Sequence, residues 1–373
     1  MRGPFVPPLT TRALNRATLD RQLLLRRADL TVPQALERLA GLQAQTPHTW
    51  YVGLWTRLAG YTPEPTARLL ADGAVVRMAL MRSTIHLVTA ADCLWLRPLV
   101  EPVIERSTLG SFGRHLTGLA QAELVTTARD LLASEPLTFS DLGRALARRW
   151  PERDPAALAQ AARAWVPLVQ VPPRGLWGRS GPAAHTTVET WLGRTVDPAA
   201  SVDTLVLRYL AAFGPATVLD AQRWCGLTRL SEVADRLRPH LVTFRDEQGR
   251  ELFDLPDAPR PDPDTPAPIR FLYDFDNLLL SYADRSRVVT VDYAGQGFGR
   301  TNEQPRSVLV DGYVAATWKL ATNRDTATLT VRPFRKLTAA EHERLDAEGA
   351  RLLAFLAPNA TAHDVVVRSP QPE

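Results

Sequence analysis

Lysine is almost missing from this 373-residue chain: Lys319 and Lys336 are the only two among 44 basic residues, so arginine carries nearly all the positive charge. Arginine forks suit phosphate, but arginine bias also follows from a GC-rich genome, and a net charge of +4 is modest for the length. Cysteine is scarce too. Cys93 and Cys225 lie far apart without a CxxC spacing, which argues against a zinc site or a disulfide framework and for two buried thiols. No apolar run approaches the roughly 18 residues of a membrane span. The N-terminal MRGPFVPPLTTRALNRATLD has no apolar core before a small-residue cleavage site. The expectation is a soluble, cytoplasmic protein with no membrane partner, long enough for two to four domains.

What is present is a recurring helical grammar. From Thr11, leucines interleave with arginines as in an amphipathic helix. VPQALERLAGLQAQ then places Leu36, Leu39 and Leu42 on one helical face, so Gln43 and Gln45 are expected at that helix's C-terminus. Thr46 and Pro47 read as the cap and first turn of the next helix, WYVGLWTRLAG. In a regular helix residues two apart point about 200° apart, so the two amides converge on one space only if the helix end frays. EPTARLLADG predicts another helix, and VVRMALMRSTIHLVT ends as a strand. Helix, helix, helix, strand is a winged-helix order.

The order returns twice. LVTTARDLLASEPLTFSDLGRALARRW predicts two helices, the second capped at Ser140-Asp141, and VQVPPRGLWGRSG predicts a strand, a wing and a returning strand. The stretch from Ser201 repeats it, with DEQGRE as a hairpin tip. The proline-rich PDAPRPDPDTPAP is a linker. Beyond it the period changes: SRVVTVDY, SVLVDGYVAATWKL and TATLTVRPF predict the strands of a small β-barrel, closed by the helix AAEHERLDAEGARLLAFL. The fold class expected is therefore α+β, with units at 1–118, 119–198, 199–262 and 263–373.

Several motifs are decoys. HERLD at His342 begins like a zincin but ends in Asp346, and GQGFGR lacks the third glycine of a dinucleotide loop, so neither a metal nor a cofactor is expected. Asp274, Asp276 and Asp284, beside Arg285 and Arg287, read as a structural ion-pair network in preference to catalytic carboxylates. His86 reads either as a core histidine or as a base, and Arg82, Ser83 and Thr84 beside it as phosphate contacts. Three winged helices imply DNA. In that setting Gln43 and Gln45 read either as a helix cap or as an adenine reader.

The run LQAQTPHTWYVGLWTRL, the strand LMRSTIHLV, the block FLYDFDNLLLSYADRSRV and the later VLVDGYVAATWKL, in this order, closely resemble the winged-helix DNA glycosylases of the AlkZ and YcaQ type. The resemblance extends from about Ala13 to Val367. It implies three tandem winged-helix (helix-turn-helix) units and a C-terminal β-barrel around a DNA-binding channel. It also implies removal of alkylated purines, including N7-linked interstrand crosslinks, with self-resistance to DNA-alkylating antibiotics in AlkZ-like members. The family's catalytic motif, Gln-x-Gln in AlkZ-like proteins and Gln-x-Asp in YcaQ-like ones, falls on Gln43 and Gln45 and makes their catalytic reading the favoured one. A DNA-contacting hairpin is expected at residues 292–306, with Arg300 and Arg306 near phosphates. The partner expected is double-stranded DNA containing alkylated purines, acted on by a monomer with no lysine placed for Schiff-base chemistry. A non-catalytic winged-helix DNA-binding protein is the alternative.

Overall fold

The computed structural model describes residues 7–290 and 305–370. The hairpin expected at 292–306, with Arg300 and the GQGFGR motif, lies outside the described residues except for its last two positions.

The first segment contains α1 (Thr11–Arg21), α2 (Val32–Arg38), β1 (Leu42–Gln43), α3 (Trp50–Trp55), α4 (Pro63–Ala71), β2 (Val75–Ala79), β3 (Ile85–Thr89) and α5 (Ala90–Leu116). A Thr31/Gln34 capping box starts α2. Its end differs from expectation: Ala40 (φ 56°) and Gly41 (φ 81°) turn left-handed, and the chain leaves as a strand. A Cβ on Gly41 would sit 2.7 Å from Val88 Cγ1, so the crossing over β3 requires glycine. The expected cap at Thr46 is also displaced, since α3 begins at Trp50 with Thr49 at its N-cap position. VVRMALMRSTIHLVT is a hairpin rather than one strand, because Arg82 and Ser83 reverse it with φ of 54° and 61°.

The second segment adds α6 (Gln121–Ser134), β4 (Leu137–Thr138), α7 (Phe139–Ala147), α8 (Pro155–Trp165), β5 (Leu168–Gln170), β6 (Ala184–Thr187) and α9 (Val188–Leu192). Thr138, not Ser140-Asp141, caps α7, accepting from the Asp141 N–H at 3.1 Å. The strand returning after the wing starts at Ala184, beyond RSG. These strands join those of the first segment in one antiparallel sheet, in the order β1-β3-β2-β5-β6-β4. The third segment is helical, with α10 (Val202–Phe213), α11 (Val218–Cys225) and α12 (Leu230–Leu237), followed by the hairpin β7 (Val242–Arg245) and β8 (Glu251–Asp254) around the expected DEQGRE tip.

The last segment contains β9 (Arg270–Phe271), α13 (Asn277–Leu280), β10 (Ser307–Val310), β11 (Tyr313–Thr322), β12 (Thr326–Pro333), α14 (Ala339–Leu356) and β13 (Ala362–Val367). Its sheet, ordered β13-β12-β11-β10-β9, curls into half a barrel and is not closed among the described residues. SRVV is a turn rather than a strand: the Val289 N–H returns to Arg285 O at 2.8 Å.

Helix α1 ties the segments together. Asn15 donates to Gly312 O at 2.8 Å and Arg16 to Asp311, both on the β10–β11 turn, while Arg21 forks onto Asp254 of β8 at 2.7 and 2.8 Å. One apolar core joins α2, α3 and α14 to the C-terminal sheet, and another joins β2, β3 and α5 to α10, α11 and α12. Strand β1 adds Leu42 to the first of these cores. Cys93 and Cys225 are both buried, which raises their thiol pKa values to about 12 and 11, so neither is a reactive thiolate. Among the described residues no helix is long and apolar enough to cross a membrane.

Candidate active site

Strand geometry brings the glutamines together without any fraying of a helix. Side chains two apart on an extended chain share a face. Leu42 and Ala44 enter the core, and Gln43 and Gln45 take the opposite side, the first buried and the second exposed. Gln43 lies opposite His86 in the β1–β3 ladder, and the Ala44 N–H donates to Ile85 O at 2.7 Å. There the backbone ladder stops, and a side chain continues it: the Ile85 N–H donates to Gln45 Oε1 at 3.1 Å.

The second amide is oriented by a charge. Arg82 Nη2 lies 2.6 Å from Gln43 Oε1 while Nη1 donates to Trp224 O at the end of α11. A guanidinium and a backbone N–H only donate, so both contacts fall on carbonyl oxygens and fix which way each amide faces. Each oxygen keeps a second lone pair, able to accept from a water. Among the described residues, none of the hydrogen-bond partners of either side-chain amide is a carboxylate.

His86 is buried, and its Nδ1 faces Thr84 O at 3.0 Å. A carbonyl only accepts, so Nδ1 carries the proton and Nε2 is the bare nitrogen. Burial first, and the Arg82 charge second, lower its pKa to about 3. The ring is neutral at working pH. Arg82 itself, lowered to about 10 mainly by burial, remains charged.

The structure spends the other motif residues internally. Arg163 donates to Ser83 Oγ at 3.0 Å and to Ser83 O at 2.5 Å, holding the β2–β3 turn, and Thr84 Oγ1 donates to Met81 O at 3.0 Å. Arg306 stacks on Trp318, 5.1 Å from its ring centre, and lies 3.9 Å from Asp274. His342 pairs with Asp346 one turn along α14, at 2.9 Å.

Below the glutamines lies the DFDN block, whose part in the site sequence reasoning missed. Tyr273 Oη donates to Gln43 O at 2.8 Å, and Asn277 Oδ1 accepts the Gln43 N–H at 3.2 Å while its amide donates to Gly41 O at 2.6 Å. Asp276 accepts both arms of Arg57, at 2.7 and 2.9 Å. The expected ion-pair network therefore exists, but its arginines come from far along the chain: Asp276 uses Arg57 and Asp284 uses Arg250. Arg287 stacks on Tyr282 and donates to Pro215 O. Close by, Pro47, His48, Trp177, Tyr273, Arg306 and Trp318 help line a cavity of about 590 Å³.

The fold is shared with a solved structure, the Streptomyces sahachiroi DNA glycosylase AlkZ, at a TM-score of 0.77 over 97% of this chain and 100% of that one, with 21% identity. A curated relative from Streptomyces sahachiroi, an interstrand DNA cross-link repair glycosylase, is 26% identical over 85% of this chain and 88% of its own length. Residues 36–355, which include the paired glutamines, the β2–β3 turn and the DFDN block, match the model of the family described as DNA glycosylase AlkZ-like, and the chain belongs to that family.

Proposed function

We propose that the protein hydrolyses the N-glycosidic bond of cationic N7-alkylated purines in double-stranded DNA, with Gln43 and Gln45 holding the attacking water. The carrying observation is that both amide oxygens are oriented by fixed donors on one face of the chain, with no carboxylate among their partners in the described residues. Glycoside hydrolases pair an acid with a carboxylate base around an oxocarbenium-like sugar. An amide supplies neither. An N7-alkylated purine already carries the positive charge, so when the C1′–N9 bond breaks the electron pair neutralises the base and no acid is needed. Water adds to C1′ and its extra proton passes to solvent. The amide oxygens accept from that water and face the developing positive charge, which is transition-state stabilisation by preorganised dipoles.

Three winged-helix units around a DNA channel, monofunctional action by a monomer, cytoplasmic location, unhooking of crosslinks and self-resistance belong to the same reading. Lys319 is exposed on β11 and Lys336 is exposed before α14, which supports hydrolysis over lyase chemistry. The test is incubation with a duplex carrying N7-methylguanine. Free base, lost in Gln45→Ala, supports the glycosylase; tight, salt-sensitive binding without release supports a non-catalytic binder.

Because His86 is neutral far below pH 6 and the amides do not titrate, the single-turnover rate is expected to be nearly flat from about pH 6 to 9. A basic limb following a group of pKa near 7 that persists in Gln43→Ala would rule out this mechanism. Arg82 enters as a positioning residue. Hydrogen bonds to charged groups contribute about 1.5 to 3 kcal/mol, so Arg82→Met is expected to slow release by about 10- to 100-fold. In a Gln43→Ala background the same change is expected to add little, and a fully additive double variant would remove Arg82 from the chemistry.

A further inference from the structure

Arg82 beside Gln43, Arg223 on α11 and Arg285 on the loop after α13 are three guanidinium groups that, among the described residues, pair with no carboxylate. Arg82 reaches across to Trp224 O, in the last turn of α11. Arg223 is the preceding residue on that helix and is exposed. The loop carrying Arg285 is tied to the same helix one turn earlier, where the Ala283 N–H donates to Asp220 Oδ1 at 2.9 Å.

The carboxylates of this region are engaged elsewhere. Asp220 closes a capping box with Thr217 and holds Ala283, while Asp284 pairs with Arg250 at 2.9 Å and accepts the Ser286 N–H. Among the described residues the guanidinium groups of Arg223 and Arg285 have neither a hydrogen bond nor an ion pair. Burial lowers the pKa of Arg285, and the charge of Arg223 adds to that lowering in both Arg285 and Arg82. Gathered like charges oppose folding, and nothing in the described structure offsets them here. An anion is the missing partner.

We propose that Arg223 and Arg285 bind a backbone phosphodiester next to the nucleotide that faces Gln43 and Gln45, an inference that rests on the glycosylase reading of that pair. Arg82 is not part of this phosphate site, because its fork is filled by Gln43 and Trp224. Its contact with Trp224 O instead sets the distance between phosphate and amides. Helix α11 is the first helix of the α11–α12 pair, and a phosphate contact from such a helix fixes register on DNA without reading sequence. Anchoring the phosphate beside the reacting sugar holds C1′ against the water, which is an orientation effect.

The experiment measures duplex affinity against salt for wild type, Arg223→Gln, Arg285→Gln and the double variant, on DNA with and without an N7-methylguanine. Each substitution is expected to reduce the slope of log K against log salt by about 1, equally on both duplexes, and the double variant by about 2. Lysine at both positions retains charge and is expected to restore the slope, which separates charge from folding. A third duplex carries one neutral methylphosphonate at the linkage beside the lesion. It is expected to weaken wild-type binding and slow excision, and to cost the double variant nothing more.

An unchanged salt slope in a glutamine variant that melts like wild type overturns the proposal. So does a methylphosphonate penalty equal in wild type and double variant, which would place the arginines on another phosphate. The glycosylase reading fails separately, through normal excision by Gln45→Ala, whatever the salt slopes show.

Discussion

Gln45→Ala is expected to slow release of N7-methylguanine from duplex DNA by about 10²- to 10³-fold in a single-turnover assay, the loss of roughly 2.7 to 4 kcal/mol that follows removal of one preorganised dipole. Gln45 is exposed, and among the described residues its side chain makes one hydrogen bond, accepting from the Ile85 N–H at 3.1 Å. Solvent replaces that partner in the variant, so folding stability is expected to change by less than about 1 kcal/mol. Lesion-duplex affinity is expected to stay within a few-fold of wild type, which separates chemistry from binding. Gln43→Ala is expected to slow release by a similar factor and also to destabilise, because Gln43 is buried and Arg82 then loses one of its two acceptors. Release by Gln45→Ala at the wild-type rate would remove the pair from the mechanism.

The largest loss of stability is expected from Asp276→Ala, about 3 to 5 kcal/mol, because it leaves a buried guanidinium without its counter-charge. Arg57 and Asp276 are both fully buried, and among the described residues Arg57 otherwise reaches only the carbonyls of Gln22 and Gly53, each at 3.0 Å. Asp276 also caps α13 by accepting the Leu278 N–H at 3.0 Å. The next residue, Asn277, carries β1 through its bonds to Gln43 and Gly41, so the damage is expected to reach the site as slower excision. The double change Arg57→Met with Asp276→Leu removes both charges and is expected to regain part of the loss. Urea midpoints measure both effects, and an Asp276→Ala midpoint indistinguishable from wild type would refute the role assigned to this pair.

The same two features show what could be read from the chain and what could not. The catalytic reading of Gln43 and Gln45 came from the family resemblance, and the strand that begins their segment was read as the end of a helix, although Gly41 and the alternation of LQAQ both oppose a helix there. The apparent helical spacing of Leu36, Leu39 and Leu42 concealed it, because a period read across a left-handed turn is accidental. The three aspartates signalled an ion-pair network, but local charge density suggested Arg285 and Arg287 as partners. The folded chain uses Arg57, 219 residues from Asp276, and Arg250 instead. The merged six-stranded sheet lay beyond local pattern as well, since pairing of β2 with β5 joins segments that each look self-contained.

Sequence alone determined most of the helices, most of the C-terminal strands, the residue types at the site and the resemblance that pointed to its chemistry, because turns, caps and periodicity act within a few residues. Tertiary structure decided which donors orient the two amides, that His86 is neutral, and that among the described residues Arg223 and Arg285 stand without counter-charges while Arg82 is occupied. Those properties depend on groups tens to hundreds of residues apart being desolvated together, and burial, charge and hydrogen-bond direction take their values only where such groups meet.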